Sequence, residues 1–301
     1  MDTIEIRNKR ILVTGGNGYL GKNLIEKLLS MDSKVFSIDI QDLSLVEKVT
    51  YFKVDIREYD KLVEVVNIVK PDIIYHLAAT LNRTRDFTSA KEIFDINVYG
   101  TINLINALTK INYERLIYSS TSEVYGGDKV KVPFSEDDNF VPASPYSLSK
   151  YCAEMSIRTF SEINKKNFTI LRLFNFYGND MPNSFFLPQL MEKLKRNIDF
   201  DMTLGEQKRD YLHINDIIET LLLSSKIETK NEIFNVCSGV GISLRELAIK
   251  LKSSLKSKSK INFGAIPYRE NEVWEMIGNN KKISKIGFKE NINFLDIIEN
   301  E

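Results

Sequence analysis

The sequence predicts an α/β protein with a parallel β-sheet covered by helices on both faces, joined to a smaller, mostly C-terminal domain. Short apolar runs alternate with helical patterns over the first 177 residues, and the connections between them are short. The runs are apolar at successive positions, so both faces of each strand are expected to be buried. Buried strands that alternate with helices are typical of parallel sheets.

The alternation extends from Arg10 to Leu173. A β-branched run over 10–14 ends in a glycine-rich turn, after which Leu20, Leu24 and Leu28 recur at helical spacing. Further strands are predicted over 34–39, 50–55, 72–77, 115–120 and 168–173, and further helices over 62–69, 93–109 and 143–164.

The regular alternation weakens after Tyr177. Pro182, Pro188 and an irregular stretch over 197–208 interrupt it. We therefore assign residues 1–177 to the sheet domain and residues 178–301 mainly to the smaller domain, partly interleaved with the sheet. The lysine-rich stretch 250–260 is interpreted as the solvated end of a helix that begins at Leu244, with a basic binding patch as the alternative.

The composition excludes several classes of protein. Hydrophobic residues make up 43% of the 301 residues, and 41 basic residues balance 41 acidic ones, so no overall charge favours nucleic acid or an anionic membrane. The two cysteines form neither a disulfide framework nor a zinc motif, and no apolar run has a membrane-spanning length. The N-terminus lacks the apolar stretch of a signal peptide. An enzyme or binding protein of the cytoplasm is expected.

The glycine-rich turn after the first strand indicates a dinucleotide site. Gly15, Gly18 and Gly21 stand between a strand and a helix, where glycines permit a tight turn and a close approach to a pyrophosphate. The pyrophosphate would lie at the helix N-terminus. Asp39, at the end of the second strand, is placed to accept hydrogen bonds from the adenosine ribose, and Asp55-Ile56 to hold the adenine.

Asp39 also bears on the choice of cofactor. Its carboxylate would repel a 2′-phosphate, and Gln41 and Asp42, rather than an arginine, follow it. NAD is therefore favoured over NADP. A purely structural turn, and an Asp39 that only caps it, are the alternative interpretations.

Tyr146 and Lys150 form a candidate catalytic pair on a helix that Pro145 begins. Four residues correspond to one helical turn, so the phenol and the ammonium share a face. The cation would lower the tyrosine pKa and allow a phenolate to act as a general base. Thr121 follows a predicted strand, at the carboxyl end where open parallel sheets bind ligands. An exposed helix face is the alternative for the pair.

The order and spacing of these motifs resemble those of the extended short-chain dehydrogenases/reductases in the nucleotide-sugar epimerase/dehydratase family. Within that family the chain is similar to UDP-glucose 4-epimerases. The resemblance implies a Rossmann-type doubly wound sheet with a smaller substrate-binding domain. It extends over nearly the whole chain and rests on the segments 14–21, 76–79, 97–101, 120–126, 146–150, 171–178, 209–214 and 267–272.

The resemblance also implies roles for individual residues. Thr121 would hydrogen-bond the sugar at C4, Tyr146 would move the proton, and Lys150 would hold the nicotinamide ribose. The implied NAD-binding residues are Gly15, Asn17, Gly18, Tyr19, Leu20, Gly21, Asp39, Asp55, Ile56, Leu77, Ala78, Ala79, Asn97, Ser119, Tyr146, Lys150 and Phe174. The implied residues for a nucleoside-diphosphate sugar are Thr121, Ser122, Glu123, Asn175, Arg209, Arg269 and Glu272.

The two arginines suit a diphosphate because their planar forks bind oxygens in pairs. An ion pair of Arg209 with Asp210 or Asp216, or of Arg269 with a nearby glutamate, is the alternative.

The reaction is expected to begin with hydride removal at C4 of the sugar, as the resemblance implies. A 4,6-dehydratase is not favoured, because Ser122 stands where such enzymes carry an acid after the catalytic threonine. A 4-epimerase or a 4-dehydrogenase is the favoured interpretation. The alternative is an NAD(P)H-dependent 4-ketoreductase, because the segment 83–87 is similar to a segment of some such reductases. A decarboxylase, which Glu123 after Thr121-Ser122 would suit, is less favoured. An idle scaffold is disfavoured by the intact Thr121, Tyr146 and Lys150.

The remaining expectations concern the histidines, metals and assembly. His76 is expected to make a structural hydrogen bond and His213 to lie in the core. No metal site is expected, because no histidine or cysteine stands at ligand spacing. Helices 93–109 and 143–164 resemble those that pair two subunits in the family, which implies a homodimer.

Overall fold

The computed structural model describes residues 6–82, 86–126, 132–270 and 272–291. Seven parallel strands form the main sheet in the order β3-β2-β1-β4-β5-β6-β10. The predicted parallel α/β architecture is thereby confirmed. The strands are β1 (Arg10–Thr14), β2 (Lys34–Asp39), β3 (Thr50–Lys53), β4 (Ile73–His76), β5 (Arg115–Thr121), β6 (Phe168–Leu173) and β10 (Glu232–Val236).

Helices cover both faces of this sheet. On one face α1 (Tyr19–Leu29) packs beside α7 (Ile214–Leu223), and on the other α2 (Tyr59–Val69), α4 (Gly100–Ala107) and α5 (Pro145–Asn164) lie together. The chain leaves β1 toward one edge and returns to start β4 toward the other, so the sheet is doubly wound. The carboxyl ends of β1 and β4 consequently flank a crevice, which is where such sheets bind ligands.

The predicted helix over 93–109 is interrupted. The chain forms α3 (Ala90–Phe94), a π-helical turn (Asp95–Tyr99) and then α4. Asn97 in the π-helical turn accepts a hydrogen bond from the backbone N–H of Thr80 at 2.8 Å and donates to Ser149 Oγ of α5 at 2.9 Å. The widened turn therefore fastens the loop after β4 to the helix that carries Tyr146 and Lys150.

The rest of the chain builds a second layer beside the carboxyl ends of β5 and β6. Strand β9 (Lys208–His213) pairs with β7 (Asn175–Tyr177), β11 (Gly241–Ser243) and β13 (Glu275–Met276), and β8 (Phe200–Met202) pairs with β12 (Ile261–Phe263). Helices α6 (Phe186–Lys195) and α8 (Leu244–Ser254) pack against these strands, and the short α9 (Lys281–Ser284) lies against β10.

The second part of the chain also contributes to the main sheet, and its helix α8 begins where the sequence predicts. Strand β10 and helix α7 come after residue 177, yet β10 pairs with β6 and α7 packs on the main sheet. Helix α8 begins at Leu244 as predicted, and Lys256, Lys258 and Lys260 beyond its end are exposed.

A buried ion pair joins α5 to β6. The guanidinium of Arg172 lies 2.8 Å from a carboxylate oxygen of Glu154, and the two side chains are 0% and 1% exposed. Glu154 also accepts a hydrogen bond from Ser120, and Arg172 donates to Tyr125 Oη at 2.9 Å. Because both charges are fully desolvated, each depends on the other.

We expect Glu154→Gln to lower the free energy of unfolding by about 3–5 kcal/mol, because the Arg172 guanidinium would remain buried without its counter-charge. Urea unfolding followed by circular dichroism measures the loss. Glu192→Gln is the matched control: its partner Arg196 is 64% exposed, so that pair contributes about 1 kcal/mol or less. Equal losses in the two variants would contradict the importance assigned to the buried pair.

Candidate active site

The turn between β1 and α1 is shaped for close approach of backbone. Gly15 has a φ of +72°, and a Cβ built there would lie 2.7 Å from the backbone nitrogen of Ala78. A Cβ at Gly21 would lie 2.1 Å from the carbonyl oxygen of Gly15. Any side chain at either position would therefore force the turn to move.

The N-terminus of α1 is open to an anion. Gly18 is the N-cap residue and offers no side-chain cap, and no acidic residue occupies the first turn. The unpaired N–H groups and the positive end of the helix dipole therefore face the turn, and no side chain in the first turn of α1 neutralises them. This arrangement fits the pyrophosphate of a dinucleotide.

A first cleft of about 840 Å³ opens beside this turn. The carboxylate of Asp39 lines it and accepts hydrogen bonds from the backbone N–H groups of Asn17 at 3.0 Å and Ile40 at 2.7 Å. These contacts hold the carboxylate at the end of β2, where a ribose would lie in the predicted site. The cleft brings together six of the residues predicted to bind the cofactor: Gly15, Asp39, Asp55, Ile56, Ala78 and Ala79.

Sequence reasoning missed Arg57 in the first cleft. Its guanidinium lies 2.6 Å from a carboxylate oxygen of Asp55. The hydrogen bonds from Arg57 lower the pKa of Asp55, so this carboxylate stays ionised. The signal available in the sequence was an arginine two positions after an aspartate near the end of a strand.

Other predicted cofactor residues lie around the turn and beneath it. Tyr19 and Leu20 are half-buried on the first turn of α1, and the Tyr19 hydroxyl donates to the carbonyl of Asn179 at 2.9 Å. Ser119 Oγ donates to the carbonyl of His76 at 3.4 Å, and Phe174 is buried among apolar residues. The Leu77 N–H donates to the Thr14 carbonyl, and Asn97 fastens the Thr80 loop to α5.

Helix α5 places Tyr146 and Lys150 in the interior. Ser144 and Ser147 form a reciprocal capping box, and Pro145 occupies the first helical position, so the helix begins where the proline predicts. Tyr146 is 8% exposed and Lys150 is 2% exposed. The alternative of a solvated helix face is therefore wrong for this pair.

Burial controls the charge of Lys150. Removal of the ammonium from water lowers the pKa of Lys150 to about 7, and the carboxylate of Glu154, one turn further along α5, opposes this effect. Its Nζ lies 4.3 Å from the centre of the Tyr118 ring on β5. Lys150 is therefore poised to change protonation near neutral pH.

The histidines take structural positions. His76 Nδ1 lies 2.7 Å from Thr14 Oγ1 and Nε2 lies 2.9 Å from Thr101 Oγ1, and burial lowers the pKa of His76 to about 3. The prediction of a structural hydrogen bond is confirmed. The prediction that His213 lies in the core is wrong: it is half-buried, and its Nδ1 accepts the N–H of Asn215 at the start of α7.

A second cleft of about 800 Å³ opens at the carboxyl ends of β5 and β6. It brings together all seven residues predicted to bind the substrate, although they come from widely separated parts of the chain. They are Thr121, Ser122, Glu123, Asn175, Arg209, Arg269 and Glu272. Sequence reasoning did not include Ser144, Ser147, Val273 and Met276, which also line the cleft; the proline-led helix start was the signal for the two serines.

Arg209 is paired differently from the alternative considered above. Its guanidinium lies 3.0 Å from a carboxylate oxygen of Glu272, inside the cleft, and it also donates to the carbonyl of Val273. Asp210 points the other way and accepts hydrogen bonds from Ser238, Gly239 and Gly278. Burial raises the pKa of Asp210 to about 6. Arg269 is exposed at the cleft.

The threonine and the glutamate at the end of β5 are oriented by a short turn. Thr121 Oγ1 accepts the N–H of Glu123 at 3.2 Å, at the start of a 3₁₀-helix over Ser122–Tyr125. This bond turns the chain at the sheet edge and places Thr121, Ser122 and Glu123 together in the cleft.

The described part of the chain shows neither a metal-binding cluster nor a membrane-spanning helix. Within residues 6–82, 86–126, 132–270 and 272–291, no set of three or more His, Cys, Asp or Glu side chains is arranged to hold a metal ion. None of the helices in these ranges combines the length and the apolar character that a membrane crossing needs. Residues 83–85, part of the segment similar to ketoreductases, and residue 271 lie outside the described residues.

Comparison with known proteins agrees with a dinucleotide site in the first cleft. The model of the NAD dependent epimerase/dehydratase family matches residues 11–237. A dTDP-4-dehydro-6-deoxyglucose reductase of Escherichia coli is 30% identical over 275 residues, covering 86% of each chain. A dTDP-D-glucose 4,6-dehydratase of Bos taurus is 30% identical over 261 residues, covering 82% of this chain and 73% of the relative.

A crystal structure of a Thermotoga maritima UDP-glucose 4-epimerase with UDP-glucose superposes with a TM-score of 0.88 at 24% identity, covering 96% of each chain. At this identity the superposition shows the fold. The three similar proteins carry different names for their reactions, so the comparison leaves the individual reaction open.

Proposed function

The chain belongs to the NAD-dependent epimerase/dehydratase family, whose members act on nucleotide sugars, and we propose on this premise that it oxidises and reduces C4 of a nucleoside-diphosphate sugar. Within that reaction class we propose a 4-epimerase or, if the product leaves after oxidation, a 4-dehydrogenase. The family match covers the sheet, the turn after β1 and the Tyr146–Lys150 helix.

One observation supports this proposal more than any other. The second cleft is lined both by hydroxyl groups, from Thr121, Ser144 and Ser147, and by two guanidinium groups, from Arg209 and Arg269. A sugar has hydroxyls and a diphosphate has paired anionic oxygens, which arginine forks bind in a bidentate manner. The cleft therefore has matching chemistry for both parts of a nucleoside-diphosphate sugar.

The chain's own residues would carry the proton. Gly15, Asp39 and the other residues of the first cleft would hold NAD, which would supply reversible hydride transfer at C4. Tyr146 would take the proton of the C4 hydroxyl, Thr121 would hold the C4 oxygen in line, and the Lys150 ammonium would favour the ionised phenol. The low exposure of Tyr146 and Lys150 keeps water away from this transfer.

The diphosphate contacts would allow inversion at C4. Arg209 and Arg269 would retain the nucleotide while the 4-keto sugar turns within the cleft, so that its other face meets the returning hydride. Glu272, which is 10% exposed and paired with Arg209, would orient that guanidinium or exchange the pair for a hydroxyl of the nucleotide ribose. Ser122 in place of an acid supplies no strong proton donor for 4,6-dehydration.

A 4-ketoreductase is the second candidate, because the Escherichia coli relative named as a reductase is 30% identical over most of this chain. The two candidates differ in how they use the cofactor. An epimerase recycles it in place, whereas a reductase consumes it. Denaturing the purified protein and identifying the released nucleotide separates them: retained NAD or NADH favours the epimerase, and an empty protein that oxidises NADPH with a 4-keto sugar favours the reductase.

Tyr146→Phe is expected to lower kcat for C4 epimerisation by at least about 100-fold, because it removes the proton-transfer group and leaves the ring in place. The assay incubates the protein with UDP-glucose and dTDP-glucose and resolves the C4 epimers by NMR. Tyr151→Phe, on the same helix and packed on Phe140, is the matched control and should keep its activity. An active Tyr146→Phe protein would refute the assignment.

Asp39→Asn is expected to weaken NAD binding by about tenfold and to reduce the preference for NAD over NADP by at least that factor. The amide keeps the shape but loses the charge that accepts from the ribose and repels a 2′-phosphate. Calorimetric titration of both nucleotides measures the effect. Asp42→Asn is the control, since Asp42 is exposed and pairs with Lys53. Unchanged discrimination in Asp39→Asn would remove Asp39 from cofactor selection.

We also propose a homodimer through the layer that contains α4 and α5. Tyr99, just before α4, and Ile163, on α5, are 59% and 73% exposed, so this layer offers apolar side chains that a second copy would bury. Light scattering should give twice the 34.7 kDa of one chain, and Ile163→Glu should weaken the association. Ile249→Glu, at a 51% exposed position on α8 in the second layer, is the control. A monomer mass for the unchanged protein at micromolar concentration would overturn the proposal.

A further inference from the structure

The ammonium of Lys150 rests on an aromatic face. Its Nζ lies 4.3 Å from the centre of the Tyr118 ring, well inside the distance at which a cation is attracted by the ring quadrupole. Lys150 is 2% exposed and Tyr118 is 1% exposed, so water screens this contact very little. The contact joins α5, which carries the catalytic pair, to β5, which ends at Thr121.

The ring of Tyr118 makes this contact, and its hydroxyl has a separate environment. Among the described residues, the buried Tyr118 hydroxyl finds no hydrogen-bond partner. Burial raises the pKa of Tyr118 well above its ordinary value, so the phenol is neutral at any working pH. A phenylalanine at this position would therefore keep the interacting face and lose a hydroxyl that makes no hydrogen bond to the described residues.

The titratable and charged groups near the Tyr118–Lys150 contact come from β4, α5 and β6. From β4, His76 bonds to two threonines and is neutral because burial lowers its pKa. From α5, Glu154 faces Lys150 but is bound at both carboxylate oxygens by Arg172 of β6 and also accepts from Ser120. The remaining groups near the Tyr118–Lys150 contact, Tyr146 and Cys152, are also on α5.

We propose that Tyr118 is a positioning residue that holds the Lys150 ammonium against its ring face and thereby keeps the Tyr146–Lys150 pair ready for proton transfer. The proposal rests on the proposed function for its kinetic consequence. The contact itself concerns Lys150 alone. Glu154 also favours the charged form of the amine, but Arg172 binds both of its oxygens, so the ring face is a second group that favours the ammonium by direct contact.

Loss of the ring face has a definite direction. A cation–π contact favours the protonated amine, so its removal makes the proton leave at lower pH. Tyr118→Leu should lower the pKa of Lys150 by about one pH unit, and Tyr118→Phe should leave it nearly unchanged. If Tyr118 only filled space, the pKa of Lys150 would be the same in folded Tyr118→Leu and folded Tyr118→Phe.

The first experiment follows Lys150 directly. In protein labelled with ¹³C-lysine, the Cε resonance of Lys150 is assigned by its absence from Lys150→Arg, and its chemical shift is followed against pH. A downward shift of about one pH unit in Tyr118→Leu, with Tyr118→Phe as the control, supports the proposal. Identical titration of Lys150 in the leucine variant and the unchanged protein would overturn it.

A second variant protects the test against loss of folding. Incorporation of 3,4,5-trifluorophenylalanine at position 118 keeps the size of the ring and withdraws electrons from its face. The Lys150 pKa should then fall relative to that of Tyr118→Phe, since only the ring quadrupole has changed. An equal Lys150 titration with the fluorinated and the ordinary ring would overturn the proposal even if Tyr118→Leu does not fold.

Kinetics then connect the contact with the reaction. In Tyr118→Leu the pH profile of kcat should have a lower maximum, and its limbs should move only toward lower pH, because the pair loses its protons more easily. A lower maximum with unmoved limbs would assign Tyr118 a packing role and overturn the proposal. If Lys150 titrates as expected but no nucleotide sugar is converted, the proposed function fails and the role of Tyr118 in charging Lys150 stands.

Discussion

The buried ion pair between Arg172 and Glu154 is the interaction on which the active-site half of the structure depends. Two opposite charges, almost completely removed from water, must stay together because either one alone would be strongly destabilising. Through Ser120 the pair reaches the end of β5, and through Tyr125 it reaches Asn235 on β10. Helix α5 is thereby held at a fixed position relative to β5, β6 and β10.

This arrangement explains how Lys150 can be buried one helical turn from Tyr146, the proposed proton-transfer residue. Glu154 would otherwise bind the ammonium of Lys150 one turn away on the same helix, but Arg172 already occupies both of its oxygens. Lys150 instead lies against the face of Tyr118. Neutral His76, fixed between two threonines, adds no competing charge beneath the site.

The sequence was informative where local physical chemistry decides the structure. The apolar runs predicted β1 to β6 to within two residues, although they did not predict β10. The glycines at 15, 18 and 21 predicted a turn whose backbone approach is so close that the structure leaves no room for a Cβ at Gly15 or Gly21. Pro145 marked the start of α5. The interruption of the helix around Asn97 was not predictable, because the π-helical turn depends on bonds to the distant Thr80 and Ser149.

Sequence alone thus determined the parallel α/β sheet, the turn at the N-terminus of α1 and the identity of the chemical groups, because strand and helix periodicity, glycine geometry and side-chain chemistry are local properties. Only the tertiary structure decided which of those groups share a cleft and what charge they carry. Arg209 comes to lie against Glu272 and Lys150 against Tyr118, and neither pairing is encoded in spacing along the chain. Burial then sets the protonation of Lys150 and His76, and burial exists only once the layers have packed.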